Sequence, residues 1–445
     1  MQQTPHPHNH IELSIYISHA WSVHAQRHTT ILSNKVLRVE QFRNRVIDLA
    51  KPSQAFLDMK MERDLHTIKG DGDSSYTKNS SIQRKAILAT EPMVEKAIRG
   101  LRTDLQPRSM VVADLGCSSG ANTLLFVSKV IATISEDSPT DSNIRECPME
   151  LQFFLNDLPS NDFNHTFQSL EQFKQLTAQD YARRGLQPPP HYFAAVAGSF
   201  YTELFPCSSV HLFHSSFSLM WLSQVPEHLH SNMNKGNIHI GVTTSPLAAK
   251  LYLDEFEKGF SHFLQLRCRE LVPGGRMVLT ILGRKNDDMI FGGGTLSSTL
   301  ELLSQAMRTL IEEGRVEEEK LDTFNLPIYS PSPDELKRLV EQSHLLDIMD
   351  TQVFDLPYDP MDQNYSKPDQ EGAAAADDAH EAIGRKIAAG LRAVTEPLLA
   401  CHFGESIIDE LFAVFACNMT RQLESGGEGR AVTVISMLLQ AKVLQ

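Results

Sequence analysis

The sequence predicts a mostly parallel α/β sheet with helices on both faces, followed by a largely helical C-terminal cap. Three observations predict it. Short apolar runs rich in β-branched and aromatic residues alternate with stretches of helical periodicity through residues 108–282. The first of those runs ends in a glycine- and serine-rich turn that opens directly into a helix-like stretch. Beyond Gly283 the texture shifts to amphipathic segments separated by polar, low-complexity sequence. Sheets of this class bind ligands beyond the carboxyl ends of their strands.

Taken in order, residues 1–60 stand apart: six histidines fall between His6 and His28, acidic residues are sparse, and no compact apolar stretch precedes a cleavage site. They read as a poorly ordered extension rather than a secretory signal, with a transit peptide as the alternative. "RSMVVADLGCSSG" (108–120) is a strand and a turn, and "ANTLLFVSKVIATI" continues as helix. "PMELQFFLNDLP" (148–159) is a second strand ending at Asp157, and "HYFAAVAGSF" and "SVHLFHSS" are further strands. "NKGNIHIGVTT" (234–244) looks extended. "LYLDEFEKGFSHFLQLRCRELV" (251–272) has helical periodicity, stopped by Pro273-Gly274-Gly275 before the strand "RMVLTIL". "FGGGTLSS" reads as a flexible loop, and helices follow over 300–320, 334–345, 379–393 and 405–423, broken by "DQEGAAAADDAHEAIG". The apolar "VTVISMLLQAKVL" is a buried strand or helix. The expected division is a ligand-binding core with an N-terminal active-site segment over 61–289 and a mostly helical substrate-binding cap over 290–445.

The totals narrow the function. With 445 residues and a net charge of −14, nucleic acid and anionic membrane surfaces are disfavoured as partners, although a local pocket can still take an anionic small molecule. Six cysteines lie scattered without a CxxC pair, which suits a reducing, cytoplasmic setting. The uncharged run Leu204–Pro226 carries too much Ser, His and Gln to span a membrane.

The turn after the first strand carries the chemistry. Asp114-Leu-Gly116-Cys117-Ser118-Ser-Gly120 places an acid before the glycines, where a dinucleotide turn would read GxGxxG. Carboxylate there repels phosphate but meets an ammonium group, which favours a zwitterionic tail such as that of S-adenosylmethionine. A tight structural turn is the alternative. Asp157, at the next strand's end, is placed to accept two ribose hydroxyls, with helix N-capping as its alternative role. The "LVPGGRMVLT" element also recurs in Rossmann-like methyltransferases, so a methyltransferase is favoured over a dehydrogenase. Trp221 closes the serine-rich, uncharged "HSSFSLMWLSQVP" (214–226). Its indole N–H either caps the core or donates into a pocket.

The motifs "SYTKNSSIQ" (75–83), "ADLGCSSGANT" (113–123), "FLNDLPSNDFN" (154–164), "GSFYTELFP" (198–206), "HSSFSLMWLSQVP", "NKGNIHI" and "VPGGRMVLTILGR" strongly resemble the plant SABATH methyltransferases, from about Lys69 onward. The resemblance implies a Rossmann-like class I methyltransferase sheet with a largely helical cap over the active site, S-adenosylmethionine as cofactor and a small carboxylic acid as substrate. By motif, Tyr76, Ser80, Asp114, Cys117 and Asn122 would hold the cofactor's methionine end. Asp157 and Leu158 would bind ribose and adenine, and Ser199 and Phe200 would bracket the ring. Gln83 and Trp221 would grip the substrate carboxylate as the catalytic pair. Phe217, Met220, Thr299, Leu300, Leu391 and Val394 would shape the acid's cavity. Phe217 departs from a common Tyr, and Met220 resembles the salicylate and benzoate branch rather than the xanthine methylators. In some relatives the residues matching Asn234, Asp322, the Phe324 carbonyl and Asn325 hold Mg²⁺, a site that would be structural here rather than catalytic. A homodimer is the implied assembly. Jasmonate, indole acetate, gibberellin or purine substrates, or a non-catalytic relative, are the alternatives to a benzoate, salicylate or cinnamate methylator.

Overall fold

The computed structural model describes residues 64–136, 149–229, 233–287, 295–358, 376–426 and 430–443. The extension expected over 1–60 lies outside the described residues, as do the glycines at 292–294 and the first half of the low-complexity run.

Seven strands make one sheet: β1 (Ser109–Leu115), β2 (Glu150–Asp157), β3 (His191–Ala197), β4 (Val210–Ser216), β5 (Leu271–Leu282), β6 (Leu346–Pro357) and β7 (Ala431–Ala441). Their order is β3-β2-β1-β4-β5-β7-β6. β1 to β5 are parallel to one another, and β7 runs antiparallel between β5 and β6. The described helices, in chain order, are α1 (Tyr76–Asn79), α2 (Ser81–Ala89), α3 (Glu91–Leu105), α4 (Asn122–Glu136), α5 (Phe163–Arg183) and α6 (Pro246–Glu270). They continue with α7 (Thr295–Glu312), α8 (Glu318–Asp322), α9 (Pro333–Ser343), α10 (Ala376–Phe403) and α11 (Ile408–Glu424).

Period-2 alternation sorts the strands' side chains onto two faces. On β1, Met110 and Val112 join the core that includes Val94, Ile98 and Leu101 of α3 and Val127 and Ile131 of α4. Ala113 and Leu115 join the opposite core with Phe256, Phe260 and Phe263 of α6. Both faces are covered, so β5 and β7 read as almost continuous apolar runs. Helix α6 starts earlier than its periodicity suggests because Ser245 caps the Ala248 N–H and Pro246 occupies the first turn.

Three expectations need correction. Residues 234–244 form turns and bends rather than an extended segment, because Asn234, Asn237 and Thr244 satisfy local polar groups that a strand would pair with a neighbour. Pro273-Gly274-Gly275 lies inside β5 rather than before it. There Gly274 adopts φ +78° and the pairing with β4 shifts register between Val210 and Leu212, a bulge that tolerates the proline. The C-terminal region is not helical throughout: Leu346–Pro357 is a strand that the sequence reading missed. It is the sheet's edge, it carries Asp347, Asp350 and Asp355, and only β7 pairs with it, so it lacks the apolar run of a central strand. "VTVISMLLQAKVL" is the other strand from this region.

A buried ion pair fixes the loop after β3. Arg267 on α6 is fully buried, donates to the Phe200 and Thr202 carbonyls at 2.8 Å each, and donates to Glu270 at 2.9 Å. Glu270 accepts the Leu204 and Phe205 N–H groups at 2.7 and 3.1 Å. Removing the cation alone strands a buried carboxylate. Arg267→Met should therefore cost about 3–5 kcal/mol in urea unfolding, and adding Glu270→Gln should recover part of that loss.

Candidate active site

The strand order reverses between β1 and β4, which opens a crevice at their carboxyl ends. A cavity of about 710 Å³ occupies that place. The turn after β1 forms its floor. Gly116 (φ +76°) and Ser118 (φ +55°) adopt left-handed backbone there. A Cβ on Gly116 would stand 2.1 Å from Ser218 Oγ, so only glycine fits. The Gly116 and Cys117 N–H groups both donate to the Asn156 carbonyl at 2.9 Å, and the Asn156 amide donates to Val196 and Gly198 carbonyls at 2.8 and 2.9 Å.

Asp157 faces the cavity from the end of β2. One oxygen accepts the Ser118 N–H and the other its neighbour Leu158 N–H, each at 2.7 Å. Burial outweighs these two donors and raises its pKa to about 6. Leu158, Ser199 and Phe200 line the same end, and Tyr76 closes it from α1. Burial raises the Tyr76 phenol well above its ordinary range, so it stays protonated.

The remaining residues assigned to the cofactor, Ser80, Asp114, Cys117 and Asn122, stand behind this wall rather than among the lining residues. Asp114 is buried, with Thr123 Oγ1 at 2.6 Å from one oxygen and His214 Nδ1 at 2.7 Å from the other. Two protein donors thus occupy the carboxylate expected to meet an ammonium group. His214, stacked on Phe126 with centroids 3.9 Å apart, is a core residue. Asn122 bonds Ser80 Oγ at 2.9 Å and supports Tyr76. The Cys117 thiol is buried beside Asp157 and Asp114 and stays protonated.

The cavity lining also includes every residue assigned to the acid: Gln83, Phe217, Met220, Trp221, Thr299, Leu300, Leu391 and Val394. Gln83 Oε1 and Ser216 Oγ are buried with no hydrogen-bond partner among the described residues, so the cavity offers polar atoms that a ligand can satisfy. Phe217 holds left-handed backbone (φ +55°), and its N–H donates to the Thr280 carbonyl at 2.8 Å. Trp221 lies five residues beyond β4, not at its end. It is held by an isolated antiparallel bridge to Ile328 and by Tyr201 Oη donating to its carbonyl at 2.9 Å.

Leu65, His66 and Thr67 also line the cavity and were not anticipated. Thr67 Oγ1 lies 2.9 Å from Ser118 Oγ, and Ile68 N–H donates to Ala393 of α10. No local signature marks them, because their role comes from contacts more than 50 residues away. Tyr201 and Ile328 were likewise unforeseen.

The residues proposed for Mg²⁺ do not fit a cation. Asn234 donates to Asn325 Oδ1 at 2.8 Å and to the His239 carbonyl at 3.1 Å, while its oxygen accepts Thr244 Oγ1 at 2.6 Å. Asp322 accepts the Gly236 N–H at 3.0 Å and has the Lys235 ammonium 3.6 Å away. Phe324 packs on His402 and Phe403. Side-chain oxygens that would ligate a hard cation already hold protein donors, and no cluster of three metal-ligating side chains occurs among the described residues.

A carboxylate at the end of β2, a glycine turn after β1 and an aromatic wall at the crevice define a Rossmann-like methyltransferase. Residues 62–440 match the family described as SAM dependent carboxyl methyltransferase, and the chain belongs to that family. Anthranilate O-methyltransferase 1 of Zea mays is 46% identical over 388 residues, covering 86% of this chain and 98% of that protein. A benzoic acid/salicylic acid carboxyl methyltransferase of Petunia hybrida is 41% identical over 355 residues, covering 80% of this chain and 92% of that one. The solved structure of loganic acid methyltransferase with SAH superposes with a TM-score of 0.67 at 28% identity, covering 84% of this chain and 98% of that one. Among the described residues no helix is long and apolar enough to cross a membrane.

Asp157 gives a pH test. Its ionised form accepts hydroxyl donors on both oxygens, and protonation below pH 6 converts one oxygen into a donor. S-adenosylhomocysteine affinity, measured calorimetrically, should fall as pH drops through about 6. Asp157→Asn should flatten that dependence and weaken binding by about tenfold or more, since hydrogen bonds to a charged group are worth about 1.5–3 kcal/mol.

Proposed function

We propose that this enzyme methylates the carboxylate of a flat, weakly hydroxylated aromatic acid of the benzoate, salicylate or cinnamate type, giving its methyl ester. The observation that carries this reading is that Gln83 and Trp221 line the same cavity as the apolar Phe217, Met220, Leu300, Leu391 and Val394. The Nε2–H of a side-chain amide and an indole N–H are neutral donors suited to orient a carboxylate without protonating it. The named substrates of the curated relatives, anthranilate, benzoate and salicylate, support the same class.

S-adenosylmethionine, when bound, supplies the methyl group on a sulfonium centre. Tyr76, Asp157, Leu158, Ser199 and Phe200 are the residues proposed to hold it, with Ser80, Asp114, Cys117 and Asn122 shaping the wall behind. The acid, with a pKa of about 4, is ionised at neutral pH and needs no general base. The protein's task is to bring a carboxylate oxygen to about 3 Å from the methyl carbon and to exclude water, an orientation worth about 7–11 kcal/mol at best. The apolar walls from α7 and α10 and the segment 65–67 serve that exclusion. Scattered cysteines support a cytoplasmic setting, and a homodimer is the proposed assembly on the family resemblance.

Labelled methyl transfer across a panel of aromatic, terpenoid, hormone and purine substrates is the test. Simple aromatic acids should lead it; xanthines or gibberellins in first place would overturn the pocket reading. Trp221→Phe should lower kcat/KM for every acid by about tenfold or more, as expected for one hydrogen bond to a charged group. Met220→His should instead re-rank the acids with S-adenosylhomocysteine affinity unchanged, since its thioether packs on the substrate ring at about 0.3–1.5 kcal/mol.

Turnover should survive dialysis against EDTA, because the hydrogen bonds among Asn234, Asn325 and Thr244 leave no ligand set open. Activity that vanishes and returns with Mg²⁺ would refute this.

A further inference from the structure

Trp221 belongs to no strand, yet its place in the cavity wall is defined by a short strap of chain. Met220 accepts the Tyr329 N–H at 2.8 Å, Leu222 N–H donates to the Pro327 carbonyl at 2.8 Å, and Trp221 itself bridges to Ile328. Residues 326–329 therefore form the backbone partner of the tryptophan loop, and Leu326 and Ile328 also line the cavity. The strap has two anchors on its far side besides the Tyr252 hydroxyl, which donates to the Leu326 carbonyl at 3.2 Å. At one, Arg284 donates to Tyr329 Oη at 3.1 Å, and that hydroxyl donates to Glu335 at 3.0 Å. At the other, Leu326 N–H donates to the Ile238 carbonyl at 2.7 Å, and His239 Nε2 lies 2.9 Å from the Ile328 carbonyl. A carbonyl only accepts, so Nε2 carries the proton and His239 donates.

We propose that His239 is a positioning residue for the methyl transfer, holding Ile328, and through it Trp221, at the depth where the indole N–H meets the substrate carboxylate. This inference rests on the proposed carboxylate role of Trp221. His239 touches neither cavity nor substrate: it is buried, with its ring against the edge of Tyr252 at 5.3 Å between centroids. Burial lowers its pKa to about 4, so it remains a neutral, single-proton donor across the working range. Its hydrogen bond lands on the residue that pairs with Trp221, whereas the Arg284 and Glu335 anchor grips the next residue's side chain. A shift of the strap would move the clamp and leave the cofactor wall, built on β1, β2 and β3, in place.

The experiment compares His239→Phe, which keeps ring volume and removes the donor, with His239→Gln, which retains an N–H able to reach the carbonyl. Both are made in a Trp21→Phe background, so that Trp221 is the sole tryptophan and its emission reports its surroundings. His239→Phe should raise KM for the best acid roughly tenfold to a hundredfold, as small misplacements do, and should shift Trp221 emission without ligand. S-adenosylhomocysteine affinity should stay within twofold, and His239→Gln should restore KM and emission. If His239→Phe does not fold, the Gln variant alone must keep KM and emission near wild type while His239→Asn, one methylene shorter, raises KM. Unchanged emission with unchanged KM overturns the strap. Shifted emission with unchanged KM overturns the carboxylate role of Trp221 and the inference with it. Equal losses in acid and cofactor affinity overturn a positioning role in favour of a general structural one.

Discussion

Asn156 ties together the three strand ends that make the cofactor edge. Its carbonyl receives two N–H groups from the turn after β1, and its side-chain amide spans two carbonyls at the end of β3. The side chain is fully buried, so these bonds face no competition from water. The next residue, Asp157, inherits a fixed backbone and receives the Ser118 N–H from the same turn. The crevice of a doubly wound sheet is only a place; this asparagine gives it a shape. The Arg267–Glu270 pair extends that order outward, to the loop that carries Ser199 and Phe200.

The glycine turn and the carboxylate at the end of β2 were legible in the sequence because these parts are short and local. A strand, a glycine that must turn left-handed and a carboxylate one strand later leave their mark within a few residues. The substrate side was legible only through resemblance to known proteins. Thr299 and Leu300 lie more than 90 residues before Leu391 and Val394, on two separate helices, and nothing in their own neighbourhoods marks them as cavity walls. Asp114 shows the limit of reading charge alone. Its position suggested an ammonium partner, and the fold supplied Thr123 and His214 instead, two donors brought within reach by chain 9 and 100 residues distant. Residues 234–244 misled for a related reason, since Asn and Thr side chains capture backbone groups in a way that apolar alternation does not reveal.

The proposed clamp of Gln83 and Trp221 would suit a protein of strong negative charge. A chain at −14 would repel a carboxylate held by long-range attraction alone. Gln83 and Trp221 offer short-range dipoles rather than a positive charge. A carboxylate held by an arginine would have its electron density drawn toward the cation, whereas neutral donors orient the oxygen and leave it more nucleophilic. Glu227 and Glu255 line the cavity together with Lys258 and Lys386, so its lining carries mixed sign.

The position of β7 bears on how the protein is made. The last strand of the chain sits between β5 and β6 and pairs with both along most of their length. A ribosome releases residues in order, so the sheet has an open slot, lined by two unpaired strand edges, until residues 431–441 have emerged. Nascent chains would carry that sticky slot from the emergence of β6 until that of β7, exposed to chaperones and to other chains. Deleting residues 431–441 would leave β5 and β6 unjoined.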